Sequence, residues 1–113
     1  MTYQKHKELL DEFTQRIEAQ RFYDAHESLE VIWFPRRFED DDEVKLLKGF
    51  INAAVSFELL KRGRVDSSKK VWKNYLKYKM LLCKVSSPHI KQYHKISKYL
   101  ESYKNRLYLY KNS

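Results

Sequence analysis

Residues 41–63, "DDEVKLLKGFINAAVSFELLKRG", decide the fold. Apolar side chains recur from Val44 to Leu60 at three- and four-residue spacing, which predicts a helix over about 41–62. They cover much of the helix circumference, so this helix should be the central, most buried one. Ala53 and Ala54 would let a neighbour pack closely. Acidic residues 40–43 suit the positive N-terminal end, and Lys61, Arg62 and Gly63 suit the C-terminal end.

Working outward, each flank reads the same way. Toward the N-terminus, Leu9, Leu10, Phe13 and Ile17 predict a helix over 3–19, with Gln20 and Arg21 as a short turn. A second helix should run from Phe22 to Phe34, where Pro35 stops it. Toward the C-terminus, Asp66 or Ser67 should cap a fourth helix over 66–84. Ser87 and Pro88 read as N-cap and first residue of a fifth helix. Its stripe is Ile90, Tyr93, Ile96/Ser97, Leu100, Tyr103, Leu107 and Tyr110. The expected fold class is all-α, a single compact bundle of about five helices over 1–113.

Composition agrees. With 42% hydrophobic and 15% aromatic residues, 113 residues can build one core. Two glycines and two prolines are too few for the many turns of a sheet. A single cysteine, Cys83, excludes an internal disulfide and fits a reducing compartment. No apolar run reaches the roughly 18 residues of a membrane span, and the N-terminus has no apolar signal core. A soluble, cytoplasmic protein is expected, with no membrane partner and no cofactor.

Charge is uneven. Residues 1–58 hold 8 Lys/Arg against 13 Asp/Glu, whereas 59–113 hold 15 against 2, within a net charge of +8. The basic half interleaves Lys with Tyr and Trp, a pattern able to meet phosphates and stack on bases. No RNA-binding signature or recognition helix accompanies it, and an ordinary solvated face explains the lysines equally. The tyrosine stripe of the last helix could be core or a homo-oligomer interface.

The chemistry concentrates in "DAHESLEVIW", residues 24–33. At about 100° per residue, Phe22, Leu29, Glu30 and Trp33 all fall within about 60° of His26. This puts His26 on the apolar face, with Glu30 one turn on and Glu27 at the flank. Glu58 likewise faces inward from the central helix, near Asn52 and Lys48. A carboxylate facing a core is costly unless paired. His26, Glu27, Glu30, Trp33, Asn52 and Glu58 are therefore the candidate cluster.

Three readings of it stand open. His26, Glu30 and Glu58 could ligate a metal, for which imidazole and carboxylate suit zinc, iron or manganese. His26 could be a general base held by a carboxylate, though no Ser or Cys nucleophile is obvious. Or the group is a buried hydrogen-bonded network that fixes helix register. The last makes the protein a binding or structural module rather than an acid/base or metal-dependent hydrolase, with nucleic-acid binding by the basic half as a further alternative.

The segments "RFYDAHESLEVIW" and "KGFINAAVSFELLKRGR" resemble the bacterial and archaeal family catalogued as domain of unknown function 309. Its members show an "F…EAHExLExxW" segment and a helix like "QGLIQxAxAxxHxxRGN". His26, Glu27, Glu30 and Trp33 match, as do Gly49, Ile51, Ala53 or Ala54, Arg62 and Gly63. The resemblance covers 22–77, about half the chain. Lys48 and Asn52 stand where the family usually has glutamine, Glu58 or a neighbour where many members carry histidine, and Arg64 replaces asparagine. The resemblance implies a small all-helical domain and no activity. The Tyr/Lys-rich helix over 86–113 lies outside it.

Overall fold

The computed structural model describes the backbone of residues 1–112 and the side chains of residues 1–107. Five α-helices follow one another: α1 (Tyr3–Glu18), α2 (Phe22–Trp33), α3 (Asp42–Lys61), α4 (Val65–Lys79) and α5 (Ile90–Asn112). Short 3-10 turns, Phe34–Arg36 and Met80–Cys83, extend α2 and α4. The protein is an all-α bundle. Among the described residues no helix is long and apolar enough to cross a membrane.

Each end has a local cause. Thr2 Oγ1 accepts from the Lys5 backbone N–H at 3.1 Å and caps α1. Gln20, at φ 60°, reverses the chain after α1 without a glycine. Pro35 ends α2, and the remaining turn tightens to 3-10 geometry. Asp41 Oδ1 accepts from Glu43 N at 2.7 Å and caps α3. At the other end Gly63 takes φ 79°. Arg64 N–H then reaches Leu59 O and Gly63 N–H reaches Leu60 O, both about 3 Å, the paired bonds of a Schellman turn.

That turn corrects one expectation. It delivers the chain into α4 at Val65, with Arg64 at the cap position and no side-chain cap, so neither Asp66 nor Ser67 caps the helix. Ser87 and Pro88 likewise are not the N-cap and first helical residue: regular α5 begins at Ile90, and Ser87 Oγ accepts from His89 N at 3.1 Å in the turn just before it.

Helix α3 is the centre, with ten buried residues between Val44 and Phe57. Its tightest neighbour is α4. A Cβ on Gly49 would stand 2.7 Å from Tyr78 Cβ, so only glycine permits this approach. One turn pair further on, Ser68 Oγ donates to Ser56 O at 2.7 Å and Ser56 Oγ to Ser68 O at 3.1 Å. Helix α2 packs against α3 on another side and carries α1 on its own outer face. Helix α5 packs on the bundle, burying Tyr93, Ile96, Leu100 and Tyr103 within this chain. Tyr110, the last member of the predicted stripe, lies outside the described side chains.

Candidate functional site

On α2 the buried residues are Phe22, Ala25, Ser28, Leu29 and Ile32. This face is centred near Ala25, about 100° around the helix from His26. His26 therefore sits at the seam between α2 and α3, not in the middle of the core. Its side chain is 20% exposed and that of Glu30 is 38% exposed. The cause is that α2 packs against two helices. Ser28 lies at its contact with α1, where Arg16 Nη1 donates to Ser28 Oγ at 2.8 Å and to Asp24 O at 2.9 Å. The aromatic Phe22 and Trp33 lie toward the other edge.

His26 Nε2 lies 2.6 Å from Glu30 Oε1, an i, i+4 pair. The ring also packs 5.7 Å from that of Tyr23. Beside it a cleft of about 300 Å³ opens between α2 and the end of α3. Phe22, Val55 and Leu59 form its apolar wall, and Tyr23, Glu58, Arg62 and Arg64 surround its mouth. Glu58 is held by Arg62, whose Nε is 2.9 Å from Oε1.

The predicted cluster is thus only partly assembled. His26 and Glu58 line one cleft, and Glu30 supports His26. Asn52 instead donates from Nδ2 to Lys48 O at 2.9 Å, along its own helix. Trp33 is half-buried, with the Lys48 ammonium 4.4 Å from its ring centroid, rather than a donor in a network with His26. Glu27 is exposed. Among the described residues no three His, Cys, Asp or Glu side chains form a group that could hold a metal ion. The proposed triad of His26, Glu30 and Glu58 is not gathered, because Glu58 turns to Arg62.

A second polar cluster, not evident from the sequence, ties α1, the α2–α3 connection, the start of α3 and α5 together. Glu43 Oε2 accepts from Tyr93 Oη and from Ser87 Oγ, each at 2.6 Å, and Oε1 accepts from Arg36 at 3.0 Å. Burial works to raise the Glu43 carboxyl, but these donors outweigh it and hold the group below the usual glutamate range. His6 Nε2 stands 2.8 Å from Tyr93 Oη. The His6 ring stacks at 3.8 Å on His89, which stacks in turn on Tyr3. Burial, reinforced by His89, pushes His6 down to about 4. One signal was available: His6 precedes Leu9, Leu10 and Phe13 on the same stripe of α1.

Comparison with known proteins gives one family. The family model described as "Domain of unknown function (DUF309)" matches residues 10–71, more than half of the chain. No curated protein and no solved structure matches. The matched segment contains every residue that lines the His26 cleft, whereas His6, Ser87, His89 and Tyr93 lie outside it.

Proposed function

The chain belongs to the domain of unknown function 309 family, and from that premise we propose that it is a binding module taking a small ligand into the cleft between α2 and α3. The observation that carries this reading is a half-buried histidine opening onto an apolar-walled cleft. Small-ligand sites have this character: mostly apolar walls and a few convergent polar groups. His26 and Arg62, two residues through which the chain resembles its family, both line it.

Binding is favoured over covalent catalysis by what surrounds His26. Ser28, the nearest serine in sequence, is buried, and its hydroxyl donates to Asp24 O and accepts from Arg16. A polyanion-binding role for the basic half has less support. Lys69, Lys70, Lys73 and Lys77 are exposed along α4, but the neighbouring Trp72 and Tyr75 are buried and offer no stacking platform.

A fragment screen by protein-observed (15N–1H) NMR tests the reading, comparing the protein with Val55→Trp, which fills the cleft. Hits should shift the backbone amides of Phe22, His26 and Leu59 and be lost in the variant, with its helical circular dichroism retained. Hits that leave these amides unmoved, or that bind Val55→Trp equally well, would reject it.

A further inference from the structure

The charges at the mouth of the cleft are not balanced. Glu58 is engaged by Arg62 at 2.9 Å. Arg64, at the turn between α3 and α4, is exposed and takes part in no ion pair among the described residues. The Lys61 ammonium, 5.9 Å from the Phe22 ring centroid, adds positive charge nearby and is satisfied by Gln20 O rather than by a carboxylate. Arg64 thus lines the cleft with its charge unpaired, alongside the apolar Phe22, Val55 and Leu59.

We infer that the cleft takes a ligand with an apolar body and a single anionic head group, the body against Phe22, Val55 and Leu59 and the head group at Arg64. This rests on the α2–α3 cleft being the binding site. A cationic ligand would meet Arg62 and Arg64 together, and a neutral one would leave Arg64 unused. The planar guanidinium fork matches two oxygens of a carboxylate or a phosphate, which share this chemistry. The volume of about 300 Å³ lies at the small end of ligand sites. It suits one aromatic ring or a short branched chain rather than a dinucleotide.

Three probes of one shape separate the possibilities: phenylacetate, phenyl phosphate and the neutral phenylacetamide, measured by calorimetry and amide chemical shifts at low salt. At least one anion should bind roughly fivefold or more tighter than the amide, a preference of the size expected for a partly exposed charge contact. Added salt should shrink the preference. Arg64→Ala, at an exposed residue that makes no side-chain cap, should abolish it without unfolding the protein. The tighter of the two anions identifies the head group. Equal affinities in the wild-type protein, a preference that survives Arg64→Ala, or no binding of either anion would overturn the inference. Where the amide binds as tightly as the anions and still shifts Val55 and Leu59, only the head-group assignment falls and the cleft reading stays intact. Loss of the cleft reading itself is read separately, from Val55→Trp.

Discussion

Replacing His6 by Gln should flatten the acid side of the stability profile, and the size of the change follows from one hydrogen bond. Tyr93 has a single hydroxyl proton, and it goes to the Glu43 carboxylate at 2.6 Å. The Tyr93 oxygen must then accept from His6 at 2.8 Å, which puts the proton of the neutral imidazole on Nε2. The ring is 8% exposed. Adding a second proton charges it in a dry place, against His89 and toward Arg36, with only Glu43 in favour. The folded value therefore falls from 6.5 to about 4.

The sign is fixed by which state binds more protons. Between 6.5 and about 4 the unfolded chain takes up a proton on His6 and the folded chain does not. Stability is therefore lost as pH falls through that window, and this group contributes no further loss below it. At about 1.36 kcal/mol per pH unit the loss is about 3 kcal/mol, a large share of the roughly 5–15 kcal/mol that holds a typical domain. Gln can still donate to Tyr93 but does not titrate. Its loss of stacking on His89 lowers the whole curve, so the slope, not the level, is diagnostic. Urea unfolding at a series of pH values should show the variant losing about 3 kcal/mol less than wild type across the window. His89, which burial also lowers, supplies slope common to both proteins, and the lowered carboxylates of Glu43 and Glu101 act at more acid pH. Parallel curves would refute the account of His6.

Two further substitutions probe the fold and the site. Gly49→Ala sets a helix-propensity gain of up to about 1 kcal/mol against overpacking of about 1–3 kcal/mol at Tyr78 Cβ. The expected net loss is about 1–2 kcal/mol, a melting temperature lower by several degrees, and a melting temperature at or above wild type would show that α3 and α4 do not touch this closely. His26→Ala removes an i, i+4 pair worth about 0.2–0.5 kcal/mol and substitutes a better helix former, so stability should change by under about 1 kcal/mol. A loss of several kcal/mol on calorimetric unfolding would return His26 to the core and remove the case for an open site.

The helices were legible because their ends carry residues that act locally. Pro35 and Gly63 each stop a helix through their own backbone geometry, with no help from the rest of the chain. The start of α4 was misread for a related reason. A capping residue was sought at Asp66 or Ser67, while the turn at Gly63 had already set the first helical residue. The face of α2 was misread because its large side chains were given the weight. Phe22 and Trp33 drew the face toward His26, whereas the buried face is centred on small Ala25, and α1 meets α2 through Arg16 at Ser28 and Asp24 O. The Glu43 cluster was not legible at all. Its bonds join residues 44, 50 and 87 positions apart. Periodicity says which face of a helix is buried and is silent on which faces meet.

The error over α2 bears on function more than the successes do. A histidine at the centre of a buried face must find protein partners and becomes a fixed part of the packing. His6 is that residue: stacked, bonded to Tyr93, held neutral, and outside the segment that matches the family. A histidine displaced to the seam between two helices is walled by apolar side chains yet reached by water, so its ring remains available to something else. His26 is that residue, inside the matched segment. The difference of about 100° around the helix between the two positions is a single residue step in sequence, but it separates an imidazole that the fold consumes from one that the fold presents. That contrast is why the weak effect expected of His26→Ala on stability counts in favour of a binding role.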